Sequence, residues 1–232
     1  VPGCTQVHLR TENQNLEALF RHIQPDAVLN LNHRDAEVTL AARRAGVNVR
    51  VARPRGLGQI LAATHRLWRG RSHSGRHEVM NVLDFLFPWG WNDGLAPLPH
   101  LNLTEWEQAE GEVDLAAIPR PRLGVATRSS GSSAYPSPAW WSRTLPGLEN
   151  AGWHLVILAP PEDSSLPAGT LRRMLARIKA CDAFLGPSTG PTQAAAALGV
   201  PTLALMGLST KRGASRWGPR GKAVETLCYP GL

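Results

Sequence analysis

Two short stretches carry residue types that can hold a phosphate. One is Ser188-Thr189-Gly190-Pro191-Thr192-Gln193, between an apolar run ending at Leu185 and an alanine-rich run ending at Leu198. The other starts at Thr127 and Arg128 and continues through Ser129, Ser130 and Ser132 towards Pro138. A small-residue turn feeding a helix presents backbone N–H groups and the positive end of the helix dipole. Hydroxyls add further donors, and Arg128 adds a positive charge. A tight turn in an ordinary α/β protein accounts for the same spacing. Neither stretch is a P-loop, because no Gly-Lys-Ser/Thr follows, and neither carries the dinucleotide glycine fingerprint.

A second polar cluster, Asn32-His33-Arg34-Asp35, follows the apolar run Ala27–Leu31. Ligands of open α/β sheets bind at the carboxyl ends of the strands. His33 and Asp35 are therefore candidates for moving a proton. Each also reads as local structure, His33 as a turn residue and Asp35 as the cap of the next helix.

The elements that must position these residues alternate. Leu16, Leu19, Phe20 and Ile23 mark one face of a helix over 13–23. A strand at Ala27–Leu31, a helix at Asp35–Ala45 and a strand at Val47–Val51 form a parallel strand–helix–strand unit. A basic, glycine-rich turn (53–58) leads to a helix expected from Gln59 to Trp68, and then a basic loop to Arg76. A further helix over His77–Leu86 would bury Val79, Val82, Leu83 and Leu86. From Asn92 to Pro121 the periodicity fades, which predicts a linker at 96–121 with one short strand at His100–Leu103. A second series follows: strand Leu123–Thr127, helix Ala139–Asn150, strand Trp153–Leu158, then a loop holding Glu162 and Asp163. Helix Thr170–Ala180 carries an apolar stripe of Leu171, Met174, Leu175 and Ile178. Strand Ala183–Leu185, a loop over 186–191, helix Thr192–Leu198 and strand Thr202–Met206 come next. A last strand is expected near Lys222–Thr226. The domains are thus 1–95 and 122–232, two Rossmann-like halves joined by the linker.

At 232 residues, with 43% hydrophobic and 19% charged residues, the chain suits a globular protein. No apolar run reaches the ~20 residues of a membrane span. Three scattered cysteines, Cys4, Cys181 and Cys228, give neither a disulfide framework nor a zinc pattern. A net charge of +7 suits an anionic partner, whether nucleic acid, a membrane surface or a phosphorylated substrate, and equally an arginine-rich surface kept for solubility. No RNA-recognition or helix-turn-helix signature supports the nucleic-acid option, so no nucleic-acid partner is expected.

The stretch GPSTGPTQAAAALGVPTLALMG, continuing to RWGPRG at Arg216–Gly221, resembles the signature of glycosyltransferase family 9, the ADP-heptose:lipopolysaccharide heptosyltransferases. Thr189, Gly190, Ala195, Ala196, Ala197, Leu198, Gly199 and Pro201 match that pattern, as do Gly207, Trp217 and Pro219. The resemblance implies a GT-B fold, with two Rossmann-like domains facing across a cleft. It implies a nucleotide-diphosphate sugar as donor, with ADP-heptose expected, held by the second domain. The donor site would comprise Thr127, Arg128, Ser129, Ser130, Ser132, Ser188, Thr189, Gly190, Pro191, Thr192, Gln193, Met206 and Gly207. It implies a lipopolysaccharide or other glycan acceptor on the first domain, no cofactor, no metal, and a cytoplasmic protein with peripheral contact on the inner membrane.

Departures from the pattern matter. Ser188 and Gln193 stand where the family has Asp and His. The lysine usual in the first phosphate loop is missing, with Arg128 as its substitute. The chain begins after the family's N-terminal strand and Gly-Asp turn, whose aspartate is the expected base, and stops before a further helix. His33 and Asp35 are the remaining candidates for that base. The alternative expectation is a non-catalytic GT-B homologue that binds a nucleotide or a glycan.

Overall fold

A computed structural model describes residues 14–32, 34–68, 76–92, 94–128, 136–158, 170–208 and 213–229. These fall into two compact units, Pro2–Ala96 and Pro97–Leu232.

In the first unit, α1 (Leu16–Ile23) starts at Asn15, whose side chain accepts from the Ala18 amide. Strands β1 (Ala27–Asn30), β2 (Val49–Ala52) and β3 (His65–Arg66) form a parallel sheet in that order. Helix α2 (Ala36–Arg44) joins β1 to β2 and stops at Gly46, where φ is +80°. Two expectations need correction here. The helix expected over Gln59–Trp68 is only α3 (Leu57–Ala62), because the chain turns at Ala63 to add β3 beside β2. The helix expected over His77–Leu86 is α4 (Glu78–Leu83) followed by a 3-10 helix (Asp84–Trp89). Its buried face is polar: Glu78, Asn81 and Asp84 lie inside with Phe85, while Val82 and Leu86 are exposed. The reason is electrostatic. The buried Arg53 guanidinium donates to the Asn81 carbonyl (2.8 Å) and to Asp84 (3.0 Å), and Arg76 also reaches Asp84 (3.1 Å). A buried carboxylate is tolerated when so paired.

The stretch expected to be a linker holds no strand at His100–Leu103. It carries α5 (Glu105–Asp114), opened by a capping box between Thr104 and Glu107. This helix lies against α7 (Leu171–Lys179) within the second unit. Gly111 allows the approach, since a Cβ there would meet the Ala176 carbonyl oxygen at 2.4 Å. Arg173 and Arg177 both bind Asp114 (2.8 and 2.7 Å), and Arg172 binds Glu107. On α7, Leu175 and Ile178 are buried as expected, but Leu171 is 68% exposed because it stands at the first turn, beyond the sheet.

The sheet of the second unit contains β4 (Arg122–Val125), β5 (His154–Ile157), β6 (Ala183–Pro187), β7 (Thr202–Gly207) and β8 (Val224–Tyr229). All pair in parallel, in the order β5-β4-β6-β7-β8. Helix α6 (Pro138–Asn150) places Trp141 over Leu123, Val125, Leu185 and Leu205 on one face. The other face is covered by α7 and α8 (Gly190–Ala197), whose Leu175, Ile178 and Ala195 pack on Phe184 and Ala126. No helix among the described residues is long and apolar enough to cross a membrane.

Candidate functional site

Strand order locates the site. From β4 the chain moves to β5 on one side, then returns past β4 to β6 and continues to β7 and β8. Connections therefore leave β4 and β6 in opposite directions, the switch point at whose carboxyl ends open α/β sheets bind ligands. The two hydroxyl-rich stretches follow these two strands. Thr127 is half-buried and Arg128 exposed just beyond β4, whereas Ser129, Ser130 and Ser132 lie outside the described residues.

The second stretch is tighter than its composition suggests. The six residues 186–191 were expected to be loop. In fact β6 runs through Pro187 and α8 begins at Gly190, leaving Ser188 and Thr189 as the turn. Pro191 fits because the first turn of a helix needs no intrahelical donor from it. The Thr189 amide bonds the Pro187 carbonyl (2.7 Å), and so does the Thr192 hydroxyl (2.6 Å). Gly186 makes room for that hydroxyl, since a Cβ there would sit 2.6 Å from it.

Thr192 was expected to bind substrate. It is fully buried, and its hydroxyl is spent on locking β6 to α8. Gln193 was expected in the same role. Its carboxamide donates to the Trp217 carbonyl (2.7 Å), tying α8 to the short helix α9 (Ala214–Trp217). Met206 is fully buried within β7, so only its backbone end and Gly207 reach the carboxyl edge of the sheet. Thr189 makes no side-chain cap for α8, and among the described residues no atom beyond its own helix and chain neighbours lies within 4 Å of the position a Gly190 Cβ would take. The eight-residue helix α8 thus starts without a side-chain cap from Thr189, after β6, the strand beside β4, a geometry that suits an anion.

On the first unit, Asp35 accepts from the Glu37 amide (3.1 Å) and caps α2. His33 lies outside the described residues. Asn30, buried at the end of β1, bonds the Asp35 carbonyl (2.7 Å) and the Thr39 hydroxyl (2.9 Å), which fixes the backbone of this turn. Among the described residues no group of three His, Cys, Asp or Glu side chains could hold a metal ion. The buried Arg53–Asp84–Arg76 cluster went unrecognised in the sequence, where only its polar residue types gave a signal.

No family model and no curated protein sequence matches the chain. Solved structures do. The glycosyl transferase family 9 protein from Veillonella parvula DSM 2008 aligns with a TM-score of 0.73 at 17% identity, over 92% of this chain and 66% of that one. The E. coli ADP-heptose lps heptosyltransferase II gives 0.65 at 17% identity, over 91% and 70%. The E. coli heptosyltransferase WaaC with ADP gives 0.62 at 16%, over 93% and 71%. The chain thus spans about two thirds of the length of the structures it matches. In fold, this protein is a GT-B type α/β chain of the kind found in family 9 glycosyltransferases.

Proposed function

We propose that the protein is a glycosyltransferase that binds a nucleotide-diphosphate sugar at the carboxyl ends of β4 and β6 and transfers the sugar, a heptose by its likeness to the structures above, to a glycan or glycolipid acceptor. The observation that carries this reading is the first turn of α8, without a side-chain cap from Thr189, at the switch point of the sheet. The acceptor hydroxyl oxygen attacks the anomeric carbon, the bond from that carbon to the diphosphate oxygen breaks, and the nucleotide diphosphate leaves with the electron pair. Negative charge grows on the leaving oxygen. In this reading the exposed Gly190 amide and the α8 dipole stabilise it, with Arg128 adding charge. No bound metal is required for that stabilisation. The acceptor proton passes to a base, for which His33 and Asp35 are the candidates.

Calorimetry with ADP tests the donor site. Gly190→Asp puts a carboxylate into open space, so the fold should survive while ADP affinity falls at least about ten-fold through repulsion. ADP binding equal in the variant and the wild type would remove the reading. A second reading, a non-catalytic nucleotide-binding homologue, draws on the engagement of Gln193 with Trp217 and of Asp35 with its helix. ADP binding without sugar transfer, unchanged in His33→Gln and Asp35→Asn, would favour it.

A further inference from the structure

Helix α9 is a single turn of four residues, too short to hold itself together in water. Two contacts fix it, and the chain after it, on α8. The Gln193 carboxamide donates to the Trp217 carbonyl (2.7 Å), which as the last of the helix has no intrahelical donor. Further on, Gly221 lies so close to α8 that a Cβ there would meet the Ala196 carbonyl oxygen at 2.7 Å. Gly218 and Pro219, between these two contacts, are buried. Gln193 itself stands in the first turn of α8, where its amide bonds the Thr189 carbonyl (3.1 Å). Helical side chains lean towards the N-terminus, so its carboxamide lies over the turn that holds Gly190.

The end of α9 is thereby set beside the exposed Gly190. That end carries Arg216 and Trp217, with the guanidinium over the indole, 5.5 Å from the ring centroid. The indole is 37% exposed. An arginine stacked on an indole has less freedom left to lose on meeting a ligand, and its in-plane N–H groups still point outward. Such a planar fork matches the oxygens of a phosphate group. We propose that Gln193 is a positioning residue for donor binding: through the Trp217 carbonyl it holds Arg216, stacked on Trp217, where the guanidinium meets the donor's diphosphate beside the first turn of α8. This deepens the glycosyltransferase reading and rests on its donor site.

The test is calorimetric titration of the full chain with ADP and with AMP, with circular dichroism as the check on folding. Gln193→Met keeps the length of the side chain and removes the donor, whereas Gln193→His keeps a ring N–H at that place. Gln193→Met should weaken ADP about five-fold, and Gln193→His by less than about two-fold. Arg216→Ala should weaken ADP about ten-fold but AMP by no more than about three-fold, since AMP lacks the second phosphate. The double variant Gln193→Met/Arg216→Ala should bind ADP no more weakly than Arg216→Ala alone, because both residues act through one contact. A carboxamide that merely tied two helices together would show none of this in the folded variants. Unchanged ADP affinity in folded Gln193→Met, additive losses in the double variant, or equal losses of ADP and AMP in Arg216→Ala overturn the proposal. Should Gln193→Met fail to fold, the ADP and AMP comparison in Arg216→Ala decides by itself. A wild type that binds no ADP removes this proposal together with the donor site. Binding that Gly190→Asp weakens, and that Gln193→Met and Arg216→Ala leave intact, removes this proposal alone.

Discussion

At the scale of single residues, the turn between β6 and α8 depends on what is small and what is hidden. Gly186 must lack a Cβ so that the Thr192 hydroxyl can close on the Pro187 carbonyl. Gly186→Ala is expected to cost about 1–3 kcal/mol through overpacking, read as a lower midpoint in urea unfolding. Gly190→Ala, into open space, should leave that midpoint within about 0.5 kcal/mol. The cysteines give a contrast of the same kind. Cys228 is exposed, whereas burial pushes the Cys181 thiol up to about 12. Cys181 should therefore resist maleimide at neutral pH in the folded protein, while Cys228 reacts. Both cysteines are plain in the sequence, but only the packing of β4 and β6 around Cys181 separates them.

At the scale of elements, α5 is held by charge as much as by apolar contact. The Arg172 guanidinium, with the Thr104 amide, lowers the Glu107 carboxyl from its ordinary 4.5 to about 2. Arg173 first, then Arg177, lowers Asp114 from 3.8 to about 2. Both carboxyls bind protons more weakly folded than unfolded. Their contribution is complete above about pH 4.5 and declines as pH falls from there towards 2. Amide exchange across α5 should rise over that window. In Glu107→Gln the rise should be smaller, from a higher starting rate, because one of the two titrating groups is gone. The Thr104-x-x-Glu107 capping box was readable in the sequence as a helix start. The prolines and glycines around it obscured the signal, and the arginines that receive the helix lie some sixty residues later in α7.

At the scale of the whole molecule, the two units differ in how much they contain. Pro97–Leu232 holds a five-stranded parallel sheet with helices on both faces, together with the carboxyl ends of β4 and β6. Expressed alone, this unit is expected to keep a cooperative unfolding transition and to bind ADP within about three-fold of the full chain, since neither hydroxyl-rich stretch comes from the other unit. Loss of ADP binding in a folded 97–232 fragment would show that the first unit supplies part of the donor site.

The sequence by itself determined the alternation of elements, because burial on both faces of a parallel sheet and on one face of each helix leaves a local periodic mark. It also determined where small and hydroxyl-bearing residues interrupt that pattern, and the likeness to family 9 rests on one such interruption. Only the tertiary structure decided the order β5-β4-β6-β7-β8, and with it which two loops flank the switch point, since strand pairing joins residues far apart in the chain. It also decided which polar side chains serve the fold. Thr192 and Gln193 resemble ligands for a substrate by type and position, yet each donates to a backbone carbonyl that no local pattern reveals, whereas Asp35 makes the helix cap that its place before α2 predicts.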